Sequence, residues 1–214
     1  IHEQLVHVLG DMVKESASVD HNILMRAKEK THGLISLIGD LLDLSRIEDG
    51  TVTQEPKRVQ IEILLNDIVD FMSDRAAEKN QKLILELPEK PLPAIDADPL
   101  ALESIFGNLI TNALNYTQTG GEIRVNVALA GLSIQVSVID NGFGIESRHL
   151  EKIFERFYRV KDENTRFITG TGLGLPIVKG LVDSMGGFIH VDSTPGSGSK
   201  FTVTLPIKES TEVG

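Results

Sequence analysis

At 214 residues and 41% apolar content, the chain is long enough for one medium domain and a smaller element, with enough apolar surface for a real core. Its 31 acidic residues outnumber 21 basic ones, and a net charge of -10 without any Lys/Arg-rich block argues against a nucleic-acid surface. The absence of cysteine excludes a disulfide framework and a thiolate metal site, and no apolar run approaches the ~20 residues of a membrane span.

In chain order, residues 1–14 carry a short helical pattern (Leu5, Val6, Leu9, Met12, Val13), and Glu15 to Ser18 read as a connecting turn. Asp20 is placed to cap a second helix running to about Glu48. In that helix Leu24, Ala27, Leu34, Ile38 and Leu41 alternate in steps of three and four, with Thr31 and Ser45 completing a coiled-coil-like seam. The expectation is a helical hairpin over residues 1–54, closed by Asp49-Gly50 and a polar linker from Thr51 to Lys57, and a second unit over residues 55–214. The chain starts without methionine inside an apparent helix, so a fragment of a longer protein is expected.

The second unit opens with a helix near Ile61–Glu78 and a strand at Lys82–Leu87, followed by a loop from Pro88 to Pro93. Asp98-Pro99 supplies an N-cap and a proline at the first helical position, which predicts a helix from Pro99 to about Tyr116. Ile123/Val125/Val127 and Leu132/Ile134/Val136/Val138 alternate as two strands joined at Ala130-Gly131. A long polar stretch from Phe143 to Thr169 precedes a helix at about Leu173–Met185, capped by Gly186-Gly187, and strands near Phe188–Asp192 and Lys200–Leu205. The predicted class is α+β, a two-layer sandwich of helices on a mixed sheet.

Three features carry chemistry. Asn108, Asn112 and Asn115 fall at i, i+4 and i+7, one stripe of amides suited to supplying a carbonyl ligand to Mg²⁺. A solvated helix face explains the stripe equally well when it is taken alone. Asp140-Asn141-Gly142-Phe143-Gly144 ends an apolar strand with a carboxylate able to accept from an adenine amino group, where guanine would present an acceptor to an acceptor. In isolation Asp-Asn-Gly is also an ordinary turn. Gly170-Thr171-Gly172-Leu173-Gly174-Leu175 opens a helix, where glycine amides and the positive dipole end suit phosphate. No P-loop pattern occurs, and Leu175 stands where a dinucleotide fingerprint needs its third glycine.

In order and spacing these segments resemble sensor histidine kinases. Asn108 to Tyr116 is similar to that family's N box, Asp140 to Gly144 to its first glycine box, Phe154-Glu155-Arg156-Phe157 to its F box and Gly170 to Leu175 to its second glycine box. Pro195 to Phe201 matches the loop before its last strand, and Leu41 to Ile47 the end of its dimerisation hairpin. The resemblance implies a Bergerat-type ATP-binding fold of the GHKL superfamily preceded by the helical hairpin. It implies Asn112 on Mg²⁺, Asn108 beside metal and phosphates, Tyr116 flanking the nucleotide and Asp140 reading adenine. Asn115, Gly142, Gly144, Ile145, Gly170, Thr171, Gly172, Leu173, Gly174 and Leu175 would complete the ATP site. Residues 143–169 would form a mobile lid anchored by Phe154 and Phe157, with Arg159 able to reach phosphate; for Arg156 and Lys161 a solvated face is the better reading. ATP and Mg²⁺ are thus the implied cofactors, a response-regulator receiver domain and a second copy of the hairpin the implied partners, and the cytoplasm the implied setting, with membrane attachment only through segments outside this chain.

The sequence departs from the family at three points. Asn115 stands where a basic residue is usual, and Pro176 replaces a small helix former in the first turn, where a missing N–H costs little. No phosphoacceptor box is present: His2-Glu3 reproduces two letters of it without the following proline. The acceptor histidine is therefore expected upstream of this chain, the alternative being a pseudokinase that binds nucleotide without chemistry. His7, His21, His32, His149 and His190 read as ordinary surface or core residues. Chaperone and mismatch-repair ATPases of the same fold place a carboxylate base where Asn108 stands, so hydrolysis is not the expected purpose.

Overall fold

The computed structural model describes residues 56–160, 165–168 and 170–207, together with 23, 24, 31, 34, 35, 37–45 and 47. The first hairpin helix, its turn, the Asp20 cap, Lys161 and the segment after 207 lie outside the described residues. The chain divides into two compact units, Ile1–Leu41 and Leu42–Gly214. In the first, every described position is helical, and the apolar residues Ile23, Leu24, Leu34, Ile35, Ile38 and Leu41 are exposed.

The second unit contains β1 (Lys57–Val59), α1 (Ile61–Glu78), β2 (Lys82–Glu86), β3 (Ile95–Ala97), α2 (Pro99–Tyr116), β4 (Glu122–Ala130), β5 (Ser133–Asp140), α3 (Gly174–Ser184), β6 (Phe188–Thr194) and β7 (Gly198–Pro206). Single 3-10 turns at Ser147–His149 and Lys152–Phe154 interrupt the long polar connection. A five-stranded sheet runs β2-β4-β5-β7-β6, with β2 parallel to β4 and every other pairing antiparallel. The small antiparallel pair β1-β3 has no counterpart in the sequence pattern: each strand has only three residues, too few for alternation to register.

The register explains the core. Leu85, Val125, Val138, Phe201 and Val191 form one row across the inner face, and Val127, Val136, Val203 and Ile189 the next. Helices α1, α2 and α3 contact this sheet in turn over β2, over β4 and β5, and over β6. Leu65, Leu102, Ile105, Phe106, Leu109 and Ile177 are wholly or almost wholly buried between the layers. Complete burial of each such side chain contributes about 1.5–3 kcal/mol relative to exposure. On α2, the predicted cap is realised: Asp98 accepts from the Leu100 N–H at 2.9 Å, and Pro99 follows at the first helical position.

Candidate nucleotide site

The inner face of the sheet is apolar row upon row until its last, where Ile123 on β4 is followed by Asp140 on β5, Ser199 on β7 and Ser193 on β6. Asp140 is only 7% exposed. Its Oδ1 accepts from the Gly142 N–H at 2.9 Å. Burial pushes the carboxyl above the ordinary aspartate range, and N–H donation from Gly142 and Ser199 pulls it partly back.

Backbone, not side chains, walls this corner. A Cβ on Gly142 would fall on the Tyr116 carbonyl, which itself accepts from the Phe143 N–H at 3.1 Å. Gly144, at φ +68°, abuts the Thr194 carbonyl, and Gly198, at φ +96°, abuts that of Asp140. The Gly196 N–H donates to the Phe143 carbonyl at 2.7 Å, and the Ile145 N–H to Ser193 Oγ at 2.8 Å. The loop after β5 is thereby stapled to the β6-β7 hairpin.

Along α2 the amide stripe is half-buried at Asn108, Asn112, Asn115 and Tyr116. The Asn108 amide nitrogen donates to the Ser104 carbonyl one turn back at 2.9 Å, so its Oδ1 faces away from the helix. That oxygen would lie 2.8 Å from a Cβ on Gly174, the first residue of α3. The N-cap of α3 is Leu173, whose side chain makes no capping hydrogen bond, so this helix start is suited to an anion. The Tyr116 end of α2 meets the Asp140 corner and the Asn108 end meets the start of α3. At 1.5 Å per residue these two positions lie about 12 Å apart along the helix axis.

The second glycine segment is tied to the F-box segment through main chain. The Phe157 N–H donates to the Gly172 carbonyl at 2.9 Å, Gly172 has φ +75°, and Phe157 itself has φ +62°. The Phe157 side chain is 62% exposed, so the anchor expected of it is supplied by its backbone; Phe154 is half-buried. Arg159 donates to the carbonyls of Gly170, at 3.1 Å, and Ile168. Thr171 Oγ1 accepts from the Leu173 N–H at 3.2 Å; Leu173 is buried and Leu175 half-buried. His149 meets the Tyr158 hydroxyl at 2.6 Å and His190 meets Asp192 at 3.1 Å.

Several contributing residues gave no signal in the sequence. Arg75 on α1 donates to Asn115 Oδ1 at 2.9 Å, bringing a cation to the end of the amide stripe. Lys79 donates to the Leu114 carbonyl at 2.9 Å, and buried Gln81 to the carbonyls of Leu114 and Thr117 at 3.1 and 2.7 Å. Burial and the neighbouring Arg75 hold the Lys79 ammonium below its ordinary range. These contacts link positions 33 to 40 residues apart, which local pattern cannot reach.

A one-sided α-layer over a mixed sheet, with a buried carboxylate near one end of α2 and a glycine-led helix start near the other, fits a nucleotide-binding domain of the two-layer class. The histidine kinase-, DNA gyrase B-, and HSP90-like ATPase family model matches residues 97–209, just over half of the chain, and the chain belongs to that family. Relatives named as sensor histidine kinases are among its matches. WalK of Bacillus subtilis (strain 168) is 33% identical over 209 residues, which is 97% of this chain and 34% of WalK. RcsC of Escherichia coli (strain K12) is 35% identical over 175 residues, 81% of this chain and 18% of RcsC. Full-length ShkA in complex with AMPPNP superposes at TM-score 0.71 and 32% identity over 83% of this chain and 36% of that one. The Acinetobacter baumannii histidine kinase AdeS, 21% identical with TM-score 0.68 over 82% of this chain and 79% of that one, shares the fold. The chain spans about a third or less of the length of the curated relatives named here.

Proposed function

We propose that this chain is the ATP-binding kinase portion of a two-component sensor histidine kinase. It transfers the γ-phosphoryl group of ATP to a histidine outside this chain, for relay to an aspartate of a response-regulator receiver domain. The observation that carries this reading is the pairing, on one helix, of a buried carboxylate corner at Tyr116 with an outward amide oxygen at Asn108 facing the open start of α3.

Asp140 takes the adenine amino group, and the start of α3 takes phosphate oxygens through its N–H groups and dipole. Asn108 Oδ1 is turned out because its amide nitrogen is already used within the helix, and a neutral carbonyl oxygen suits Mg²⁺. Asn108 and Asn112 would hold that ion, which when bound supplies charge neutralisation on the phosphate oxygens. Among the described residues no cluster of three or more His, Cys, Asp or Glu side chains offers another metal site. Arg159, held beside Gly170, stands where the lid meets the glycine segment and can turn to the γ-phosphate. The acceptor is then positioned in line rather than strongly activated. The exposed apolar seam at Leu24, Leu34, Ile38 and Leu41 pairs with that of a second copy, giving a homodimeric bundle that receives the regulator. The setting is the cytoplasm.

The test is to incubate the chain, and a version extended N-terminally through a phosphoacceptor helix, with Mg²⁺ and γ-labelled ATP. Acid-labile, alkali-stable label on the extended protein, abolished by Asp140→Ala, is expected. ATP binding without label on either would overturn the kinase reading and leave a nucleotide-binding regulatory module.

A further inference from the structure

The polar row that ends the sheet contains two serines, of which Ser193 holds the loop after β5 and Ser199 has no role so far. Asp140 pairs with Ser199, and Ser199 with Ser193. Directly opposed residues on neighbouring strands project to the same face, so the three side chains stand side by side. Ser199 is 8% exposed.

Ser193 Oγ has three partners: it accepts from the Ile145 N–H at 2.8 Å, donates to the Gly198 carbonyl at 2.8 Å, and lies 3.0 Å from Ser199 Oγ. A hydroxyl has one proton and two acceptor lone pairs. The Ile145 N–H occupies one lone pair, and the Gly198 carbonyl, which cannot donate, takes the proton. Only a lone pair remains for Ser199, so all three contacts are satisfied only when Ser199 donates its own proton to Ser193. The Ser199 oxygen is then left with lone pairs alone, beside a carboxylate that also only accepts.

We infer that Ser193 is a positioning residue for base selection: it orients the Ser199 hydroxyl as an acceptor next to Asp140 and ties the 140–145 loop to the β6-β7 hairpin. This rests on the reading of the Asp140 corner as the adenine site. Two neighbouring acceptors welcome a 6-amino purine and repel a 6-oxo purine, so the hydroxyl polarity set at Ser193 adds to the discrimination made by the carboxylate. The loop has further support independent of Ser193, in the Gly196 N–H to Phe143 carbonyl bond at 2.7 Å and the close fits of Gly144 and Gly198. Loss of the hydroxyl therefore frees the Ser199 proton without dismantling the corner.

The experiment measures ATP and inosine triphosphate affinities by calorimetry, with melting temperatures, for the chain and for Ser193→Ala, Ser193→Thr, Ser199→Ala and the double alanine variant. Ser193→Ala is expected to cut the preference for ATP over inosine triphosphate about tenfold, the scale of one neutral hydrogen bond, chiefly by weakening ATP. Ser193→Thr keeps the hydroxyl and the preference. Ser199→Ala reproduces the loss, and the double variant adds nothing to it, because both act through one proton. Equal weakening of both nucleotides by Ser193→Ala, or a preference unchanged within about twofold, overturns the inference. Should Ser193→Ala fail to fold, Ser199→Ala decides alone: an unchanged preference refutes it. A wild-type chain that binds neither nucleotide would instead refute the ATP-site reading, independently of Ser193.

Discussion

Replacing Asp140 with asparagine preserves the shape of the corner while removing its charge, and it should separate binding from stability. The variant's Oδ1 can still accept from Gly142, but its amide nitrogen is a donor that then meets the Ser199 N–H or the adenine amino group, both donors themselves. The charge-assisted bond proposed to adenine would be worth about 1.5–3 kcal/mol, so ATP affinity should fall by roughly 10- to 150-fold. Stability carries a separate signature, in its pH dependence. Because burial holds the Asp140 carboxyl above its unfolded value, the folded state retains its proton to higher pH than the unfolded chain. In the window just above the ordinary aspartate range, the folded state binds more protons, and stability falls as pH rises through it. An amide carries no such proton, so the ligand-free Asp140→Asn variant should lose this contribution to the pH dependence of stability. ATP binding by the parent should weaken on acidification through the same window, as the acceptor is protonated. Calorimetric titration with ATP and chemical unfolding at neutral and mildly acidic pH check both halves. If Asp140→Asn binds ATP within about threefold of the parent, the assignment of the carboxylate to adenine is refuted.

Asn108→Ala should weaken Mg²⁺-ATP binding by about tenfold while leaving adenosine binding unchanged, since it removes an oxygen facing α3 and nothing at the Asp140 corner; titrations with and without chelator distinguish the two. Gly198→Ala combines a φ of +96° with a Cβ driven onto the Asp140 carbonyl, and should destabilise by roughly 2–5 kcal/mol. Gly131→Ala, at φ +62° with nothing within 4 Å, should cost only about 1–2 kcal/mol in the same urea titration, so equal costs would contradict the close packing described at Gly198. Gln81→Ala strands the Thr117 carbonyl at the end of α2 and should lower unfolding free energy by about 1–3 kcal/mol, with ATP affinity unchanged well below the melting temperature.

Much of the second unit was legible because its signals are local. Asp98-Pro99 marks the start of α2 by a cap and a ring that needs no N–H, and the apolar alternation of β4 and β5 marks strands buried on one face. β1 and β3 were not legible, since three residues apiece hold too little pattern to outweigh the flanking polar and proline-containing sequence. Nor was the contact of Arg75 with Asn115, which depends on how α1 lies along α2.

The site's own edge was hidden for a more particular reason. Alternation places β6 at Phe188–Asp192 and β7 at Lys200–Leu205, yet both strands continue toward their shared turn, to Thr194 and from Gly198. The residues that alternation discards there are Ser193, Thr194, Gly198 and Ser199, none of them apolar enough to register as strand. A core-facing strand position is recognised by its apolar side chain, so the pattern goes silent where the inner face turns polar. That is also where a ligand needs hydrogen-bonding groups. In this one-sided sheet, the row proposed to recognise the base is thus the row that sequence periodicity reads as loop. Cross-strand register recovers it: once Val138 opposes Phe201 and Val191 opposes Phe201, the antiparallel count requires Asp140, Ser199 and Ser193 to share the next inner row.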